Sequence, residues 1–376
     1  MQTLEELKKI EFKKREFRLQ SAKKQELILG KRKKEKLNIT YVMTWTGVCG
    51  GTKIILEHAN RLTKLGHKLT LISHDKRPDW FTIEESIDFI QVPYGEVLCE
   101  KIPRNTDVIV ATYWREIYEC VEQKIAPVIY FEQGDFHLFD LEKLDNRLYN
   151  YINKQMQTVN YIYTVSNFAK EKLKEVYNVE AKVIPNAVDD KVFYYEPHKE
   201  NIVPNITMIG SESAEFKKIQ NIIEAVKMVE NKGYKLKLNW ITPTEPVKNK
   251  DFIAIVNPQQ KIIGDTLRNT DIYICASLYE SFCLPVLEAM TCGAAIITTN
   301  NGGNADFIKE NENALLIQKN NIEDIAVKLE KLLDDKKLRE KLAQAGVETS
   351  KRFNWDKVIR DIEEYYKEIA EYEVKG

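Results

Sequence analysis

Short apolar runs alternate with longer helical patterns along most of the 376-residue chain, in two series. The first series has seven runs rich in β-branched or aromatic residues, at 38–43, 69–73, 87–92, 107–111, 127–131, 160–164 and 181–184. The second has six, at 205–209, 235–241, 252–256, 271–275, 294–298 and 314–317. Helical patterns lie between several of them, at 52–65, 166–177, 218–231, 285–292 and 321–333. This alternation predicts an α/β protein with two doubly wound parallel sheets.

A polar, proline-containing stretch at 195–204 separates the two series and predicts a domain boundary near residue 200. The chain length also favours two domains, at roughly 100–200 residues per domain. We therefore predict four segments: a leader at 1–36, an N-terminal domain at 37–200, a C-terminal domain at 201–350 and a closing helical segment at 351–376. Ligands of doubly wound sheets bind beyond the carboxyl ends of the strands, so we expect the site in a cleft between the two domains.

The leader is strongly basic, with 13 Lys or Arg against 6 Glu in residues 1–36, although the whole chain has a net charge of −1. Its apolar residues form no clean helical stripe, so a solvated basic helix or arm is the first interpretation. A peripheral contact with an anionic membrane surface is the main alternative, because each basic residue gains about 1 kcal/mol there. The near-neutral total charge gives no reason to expect a nucleic-acid partner.

Neither a signal peptide nor an apolar stretch long enough to span a membrane is present in the sequence. The six cysteines show no paired spacing. We therefore expect a cytoplasmic protein with free thiols, peripheral at the inner face of the membrane if the leader binds lipid. The sequence carries no signal for the oligomeric state.

Two glutamates, Glu280 and Glu288, follow the predicted strand at 271–275 and flank a predicted helix start marked by Pro285. Unpaired backbone N–H groups at such a helix start suit a phosphate, and carboxylates suit a ligand rich in hydroxyl groups. Glutamates eight residues apart also occur as ordinary surface charges, so the spacing alone does not identify a site.

Residues 280–296, ESFCLPVLEAMTCGAAI, resemble the signature E-x-F-G-L-P-x-x-E-A-M-A-x-G-x-P-V of the family-4 retaining glycosyltransferases. The resemblance implies that Glu280 contacts the hydroxyl groups of a donor sugar and that Glu288 holds the ribose. It also implies contacts of the intervening backbone with sugar and phosphate, at Phe282, Cys283 and Leu284. Cys283 stands where relatives have glycine, which puts the identity of the donor sugar in question.

The resemblance extends from Leu37 to about Tyr366. Gly50 and Gly51 resemble the family's glycine-rich loop, which approaches the donor, and Asn301–Asp306 resembles its "GGxxE" loop. Relatives carry a glycine–arginine pair and then a lysine, whose two cations neutralise the departing diphosphate. The matching positions here are Gly210, Ser211 in place of the arginine, Lys217 on the lysine, and Lys218, which either compensates for the lost cation or is a solvated helix-start lysine. No Asp-x-Asp occurs, so we expect neither a metal nor another cofactor.

The acceptor side is expected in the N-terminal domain, after the predicted strand at 127–131. Glu132 stands where many relatives have a histidine that reaches the donor sugar. Asp135 and His137 are candidates for orienting the acceptor or accepting its proton. A loop-capping aspartate and a buried, hydrogen-bonded histidine are the structural alternatives.

The family has the GT-B fold, in which two Rossmann-like domains face a central cleft. The resemblance implies a retaining glycosyltransferase that moves a hexose-type sugar from a nucleotide sugar to a hydroxyl of a cell-surface glycan, a lipid-linked or a wall-polymer acceptor. No convincing nucleophile is present, so we expect front-face displacement, in which the protein supplies positioning and charge stabilisation. Two alternatives remain: a nucleotide-sugar 2-epimerase of the same architecture, and a non-enzymatic accessory subunit with a decayed site.

Overall fold

A computed structural model describes residues 3–197, 201–246 and 251–375. The predicted boundary at residue 200, the first two residues of the leader and Gly376 lie outside the described residues. The described strands are β1 (Leu27–Leu29), β2 (Asn38–Met43), β3 (Lys68–Ser73), β4 (Asp88–Gln91), β5 (Val108–Ala111), β6 (Val128–Glu132), β7 (Tyr161–Thr164), β8 (Lys182–Val183), β9 (Asn205–Ile209), β10 (Lys237–Thr242), β11 (Ile253–Val256), β12 (Ile272–Cys275), β13 (Ala295–Thr299), β14 (Leu315–Ile317) and β15 (Tyr372–Val374).

The described α-helices are α1 (Leu4–Leu19), α2 (Gly50–Lys64), α3 (Ile117–Glu122), α4 (Phe136–Phe139), α5 (Asn146–Met156), α6 (Asn167–Tyr177), α7 (Ile219–Asn231), α8 (Gln260–Arg268), α9 (Leu284–Thr291), α10 (Ile322–Asp334), α11 (Lys336–Ser350) and α12 (Trp355–Ile369). The chain divides into two compact units. Unit 1 contains Met1–Pro185 and Asp356–Gly376, and unit 2 contains Asn186–Trp355.

Unit 1 is built on a seven-stranded sheet with the order β4-β3-β2-β5-β6-β7-β8, in which neighbouring strands are parallel. Every residue of β5 and β6 is buried. Continuous burial is typical of a parallel sheet that is covered by helices on both faces, and it explains why these strands appear in the sequence as unbroken apolar runs.

Unit 2 is built on a six-stranded parallel sheet with the order β11-β10-β9-β12-β13-β14. Counted along the chain, the first strand of each main sheet lies between the second and the fourth strand. In unit 1, β2 lies between β3 and β5, and in unit 2, β9 lies between β10 and β12. The strand order therefore reverses beside these two strands. In open α/β sheets such a switch point, at the carboxyl ends of the strands, is where ligands bind.

The thirteen predicted apolar runs each correspond to a strand, with ends that agree within two residues. The prediction of two doubly wound parallel sheets is confirmed. The two short strands outside these sheets, β1 and β15, were not predicted. They pair with each other antiparallel, with Leu27 opposite Val374.

The interpretation of the leader as a solvated helix or arm is wrong. Helix α1 begins at a capping box formed by Thr3 and Glu6, and it buries Glu11, Arg15 and Leu19 in unit 1. The leader lacks an apolar stripe because the buried face of α1 is itself largely charged. A contact of its exposed lysines with a membrane surface stays a prediction. No helix in the described part of the chain combines the length and the apolar character needed to cross a membrane.

Arg15 shows how this charged face is stabilised. Its Nε lies 3.0 Å from Glu119 Oε1, and its Nη1 lies 3.8 Å from Glu11 Oε2. Burial acts to lower the pKa of Arg15, but the neighbouring carboxylates, above all Glu119, outweigh burial and raise it. Arg15 is therefore a charged group that unit 1 holds by paired charges in its interior.

Gln25 extends this attachment beyond α1. Its side-chain amide donates to the carbonyl of Ala126 at 3.1 Å, and its side-chain oxygen accepts from the amide of Val128 at 3.0 Å. Its own backbone amide donates to the carbonyl of Thr158 at 2.9 Å. A residue of the leader thus satisfies buried backbone groups beside β6.

Helix α12 belongs to unit 1 from Asp356 onwards, and it contacts two strands of the sheet of that unit. The hydroxyl oxygen of Tyr366 lies 2.9 Å from that of Tyr41 and 2.8 Å from that of Tyr163, and all three side chains are buried. On the same helix, Glu363 lies 2.9 Å from Nε2 of His67. These contacts tie the C-terminal helix to β2 and β7.

The attachment of the leader predicts the effect of Gln25→Ala. We expect the free energy of unfolding to fall by about 2 kcal/mol, because the carbonyl of Ala126 and the amide of Val128 would stay buried without partners. Urea denaturation followed by circular dichroism measures the change. Lys24→Ala is the matched control, since Lys24 is exposed on the neighbouring position. Equal stability of the two variants would contradict the attachment.

Candidate functional site

The switch point of the unit 2 sheet brings together two residues that the sequence singled out. Lys217 follows β9 and Glu280 follows β12, and these strands are neighbours in the sheet. Nζ of Lys217 lies 2.5 Å from Oε1 of Glu280, and the hydroxyl of Ser277 donates to the same oxygen at 2.8 Å. A cation and a carboxylate, 63 residues apart in the chain, thus meet at the carboxyl edge of the sheet.

Both side chains of this ion pair are largely removed from solvent, with Lys217 19% and Glu280 13% exposed. Burial acts to lower the pKa of Lys217, but the carboxylate of Glu280 outweighs it, and the pKa is raised above its ordinary value. The lysine therefore keeps its positive charge at neutral pH.

Two glycines of the Asn301–Asp306 loop hold the backbone at Glu280. The amide of Glu280 donates to the carbonyl of Asn301 at 3.1 Å. Gly302 adopts a left-handed φ of +84°, and a Cβ on Gly303 would lie 2.5 Å from the Glu280 carbonyl oxygen and the Phe282 amide nitrogen. Only glycine fits at 303, because the two loops are in direct backbone contact.

Cys283 occupies the left-handed region with φ 64° and ψ 50°, immediately before α9. Relatives place glycine here, which reaches this region without the cost of about 1–2 kcal/mol that other L-residues pay. The thiol is 3% exposed, lies 3.7 Å from the sulfur of Cys275, and accepts from the side-chain amide of Asn301 at 3.4 Å. The side chain that replaces the family glycine is therefore in the interior of unit 2.

The two thiols differ in their protonation chemistry. The hydrogen bond from Cys283 lowers the pKa of Cys275 to about 7, whereas burial raises the pKa of Cys283 well above its usual range. Ligand atoms of Cys275, Cys283 and Glu280 all lie within 4.8 Å of one another, a donor set that could hold a soft metal ion. Lys217 already supplies a positive charge to the carboxylate of this set.

The remaining residues of the signature differ in their accessibility. Glu288 lies within α9 and is buried, and Leu284 begins that helix and is half-buried. Phe282 is fully buried, with its ring centroid 5.6 Å from that of Phe307 and 5.8 Å from that of Phe353. Its side chain belongs to the core, so only its backbone remains for a ligand.

Gly210, which the resemblance places among the donor-binding residues, has both backbone groups hydrogen-bonded, and its role at the donor stays a prediction. Its amide donates to the carbonyl of Ile241 at 3.0 Å, and its carbonyl accepts from Nε1 of Trp240 at 2.8 Å. Both backbone groups are therefore used within unit 2. Glycine is suited to this position because a Cβ would approach the side chain of Ile219 to 3.1 Å.

Ser211 and Lys218 flank Lys217 without contacting Glu280 in any described interaction. The hydroxyl of Ser211 lies 2.8 Å from that of Ser213. Lys218 has a left-handed φ of 52° and immediately precedes α7. This is the helix-start position that the sequence allowed for as an alternative to a ligand contact.

In unit 1, His137 and Glu132 form a buried pair. His137 is 0% exposed, with Nε2 3.1 Å from Glu132 Oε2 and Nδ1 3.2 Å from the hydroxyl of Tyr177. Glu132 also accepts from the hydroxyl of Tyr130 and the amide of Gly134, each at 2.7 Å. Burial opposes ionisation of Glu132, but His137 and these donors hold its pKa below the ordinary value. His137 thus matches the alternative of a buried, hydrogen-bonded histidine.

Asp135 matches the alternative of a loop cap. One carboxylate oxygen accepts from the amide of Phe136 at 2.8 Å at the start of α4, and the other accepts from the hydroxyl of Tyr113 at 3.1 Å. Burial and the nearby carboxylate raise the pKa of Tyr113, so its hydroxyl stays protonated and able to donate.

A cavity of about 570 Å³ lies in unit 1 at the carboxyl ends of β2, β5 and β6. Its lining includes Thr44 after β2, Tyr113 after β5 and Gln133 after β6. Gly51, which was predicted to approach the donor, lines it at the start of α2, whereas a Cβ at Gly50 would meet open space.

Helix α1 also lines the unit 1 cavity, through Lys8, Glu11 and Arg15. The sequence interpretation missed this contribution because it assigned the leader to a separate segment. The Glu11–Arg15 spacing of four residues, which is typical of charge pairs on one helix face, was the available signal.

Comparison with known proteins agrees with this architecture. Residues 196–349 match the family model described as glycosyl transferases group 1. The chain is 26% identical over 219 residues to an uncharacterized glycosyltransferase of Methanocaldococcus jannaschii, covering 56% of this chain and 60% of that protein. It is 23% identical over 369 residues to the N-acetyl-alpha-D-glucosaminyl L-malate synthase of Bacillus anthracis, covering 87% of this chain and 96% of that protein.

Solved structures extend the likeness to both units. The sucrose-phosphate synthase of Thermosynechococcus elongatus superposes with a TM-score of 0.73 at 15% identity, covering 89% of this chain and 99% of that one. The Anabaena protein HepE in complex with UDP-glucose gives 0.72 at 14% identity, covering 88% and 100%. The predicted two-domain GT-B class is confirmed. The matched segment contains Lys217, Glu280 and Glu288.

Proposed function

We propose that this protein is a retaining glycosyltransferase that moves a hexose-type sugar from a nucleotide sugar to a hydroxyl of a glycan, lipid-linked or polymer acceptor. The observation that carries the proposal is the Lys217–Glu280 ion pair at the switch point of unit 2, within the segment that matches the family. The likeness to HepE, whose structure holds UDP-glucose, supports a uridine nucleotide sugar as the first donor to test.

In the reaction, the bond between the anomeric carbon and the diphosphate oxygen breaks, and negative charge accumulates on the departing diphosphate. A fixed cation at that position stabilises the transition state, and Lys217 is the residue we assign to it. Glu280, beside it, accepts hydrogen bonds from sugar hydroxyls, and Glu288 accepts from the ribose. Ser211 stands in place of a second cation, so we assign additional support to the backbone N–H groups at the start of α9.

Retention of configuration then follows from displacement on the face that the diphosphate leaves. The acceptor hydroxyl attacks the anomeric carbon, and its proton passes to a departing diphosphate oxygen. The protein contributes by holding the donor and the acceptor at the distance and orientation that the reaction requires. Because Asp135 and His137 are engaged in structural hydrogen bonds, we assign neither of them the proton transfer.

The ion pair predicts two activity losses. We expect Glu280→Gln and Lys217→Met each to reduce kcat by about 100-fold or more, because each removes a charge aligned with the reacting groups. Release of UDP from a UDP-sugar, with and without added acceptor, measures the effect. Lys235→Met, an exposed lysine remote from these contacts, serves as the control and should leave the rate unchanged.

Other outcomes of this assay have definite meanings. A wild-type protein without turnover of any nucleotide sugar would favour the accessory subunit. Conversion of the nucleotide sugar into its 2-epimer without acceptor would favour the epimerase. Either result contradicts the proposed transfer.

Donor identity predicts a thermal shift. The true nucleotide sugar should raise Tm, because a ligand at 100 times its Kd stabilises the folded state by about 2.7 kcal/mol. Differential scanning fluorimetry with UDP-, GDP- and ADP-sugars measures the shift. Glu288→Gln should weaken it for the nucleotide and the nucleotide sugar alike, whereas Glu280→Gln should weaken it chiefly for the nucleotide sugar. Equal shifts with both variants would contradict the assigned roles.

Metal independence is a separate expectation, and we propose it because Lys217 supplies the positive charge at Glu280. Activity should persist in excess EDTA and should not rise with added Mn²⁺. The same assay with Zn²⁺ tests whether the Cys275–Cys283–Glu280 set captures a soft metal, which should inhibit by displacing Lys217 from Glu280. Loss of activity in EDTA and its return with Mn²⁺ would contradict metal independence.

A further inference from the structure

The three carboxylates that line the unit 1 cavity all have partners within the protein. Both oxygens of Glu132 accept hydrogen bonds from Tyr130 and Gly134, and both oxygens of Asp135 accept from Phe136 and Tyr113. One oxygen of Glu11 accepts from the amide of Gly95, and the other lies 3.8 Å from Nη1 of Arg15. The cavity therefore holds no carboxylate oxygen that lacks an internal partner.

Two nitrogen donors that line the same cavity, on Trp114 and Arg115, have no hydrogen-bond partner among the described residues. Trp114 is 5% exposed, and its Nε1 is buried without a hydrogen-bond partner in the described chain. Nε of the adjacent Arg115 is also buried without a hydrogen-bond partner in the described chain. The guanidinium carbon of Arg115 lies 4.8 Å from the ring centroid of Tyr113 and 5.7 Å from that of Trp114, a stacked position that keeps its edge available.

Helix α1 adds a further cation to this group. Nζ of Lys8 lies 5.7 Å from the ring centroid of Tyr94, and within the described residues no carboxylate comes within ion-pairing distance of it. Helix α2 opens into the cavity at Gly51. The amide of Thr52 donates to Sγ of Cys49, whereas the amides of Gly50 and Gly51 have no acceptor within the helix. The positive end of that helix dipole therefore adds to the same electrostatic field.

Among the described residues that line this cavity, Trp114 and Arg115 thus offer nitrogen donors without a partner, and Lys8 offers a cation. A neutral sugar offers hydroxyl groups that both donate and accept, and here each lining carboxylate already accepts from the protein, which leaves it fewer sites for those hydroxyls. An ionised phosphate or carboxylate offers oxygens that only accept, so it can pair with such donors without needing an acceptor in return. The ring faces of Tyr94 and Tyr113 supply apolar surface beside these donors for the remainder of such a molecule.

We propose that the unit 1 cavity binds an anionic group, a phosphate or a carboxylate, carried by the acceptor substrate, and that Lys8 of the leader helix, Trp114 and Arg115 select it. The assignment of this ligand as the acceptor rests on the proposed glycosyltransferase function. The selectivity for an anion rests only on the hydrogen-bond donors and the cation that line the cavity of unit 1.

Isothermal titration calorimetry on the full chain tests this selectivity with three matched probes: glucose, glucose 6-phosphate and glucuronate. We expect an anionic probe to bind at least about tenfold more tightly than glucose, because charge-assisted hydrogen bonds are the stronger ones. The phosphate and carboxylate arms distinguish the two sources of the anion. Glucose that binds as tightly as both anionic probes, or no binding by either anionic probe, overturns the proposal.

Three variants locate the binding. Lys8→Ala, Arg115→Gln and Trp114→Phe should each weaken binding of the anionic probe by about five- to tenfold while leaving the affinity for glucose unchanged. Trp114→Phe keeps an aromatic ring and removes the indole N–H. Lys9→Ala is the matched control, because Lys9 is exposed on α1 and does not line the cavity. Equal effects of Lys8→Ala and Lys9→Ala overturn the assignment, and neither substitution replaces a buried residue.

The same preparations separate this proposal from the proposed function. If nucleotide sugars are turned over in a Lys217-dependent manner but neither anionic probe binds, the cavity proposal fails and the transferase stands. If an anionic probe binds through Lys8 and Arg115 but no nucleotide sugar is bound or turned over, the anion site stands and the transferase assignment fails.

Discussion

Parallel strands impose the constraint on which both candidate sites depend. Each strand must be followed by a crossover before the next one can pair with it, so all carboxyl ends emerge at the same edge of a sheet. Where the fourth strand pairs with the first, the crossovers leave in opposite directions and the loops separate. In unit 2 this happens between β9 and β12, where Lys217 meets Glu280. In unit 1 it happens between β2 and β5, where the cavity lies.

The sequence predicted the sheets well because a parallel strand with helices on both faces of its sheet is buried along its whole length. Its residues therefore form a continuous apolar run. It also identified Glu280 and Lys217 separately, through the family resemblance. It did not predict their 2.5 Å contact, since no local pattern encodes which long side chains meet across a sheet edge. The left-handed backbone at Cys283 was signalled by the glycine of relatives, but the position of its thiol against Cys275 depends on packing that only the fold provides.

The leader shows where pattern analysis fails for a physical reason. Periodicity detects a buried helix face by its apolar residues, and the buried face of α1 carries Glu11 and Arg15 instead. Such a face is stable only when partners from elsewhere in the chain neutralise it, here chiefly Glu119. Asp135 and His137 show a second ambiguity, because polar residues after a strand have the same pattern whether they serve a ligand, cap a helix or complete a buried network. Here Asp135 caps α4 and His137 contacts Glu132, while their roles towards an acceptor stay predictions.

The pairing of β1 with β15 bears on the order in which the chain acquires its structure during synthesis. Unit 2 is continuous, so all of its strands are available as soon as residue 355 has been made. Unit 1 needs residues from both sides of unit 2, and Leu27 cannot find its partner until Val374 has been made. Since domains fold as units while the ribosome is still elongating the chain, the second unit is free to fold before the first is complete. Until β15 has been made, β1 therefore has no strand to pair with.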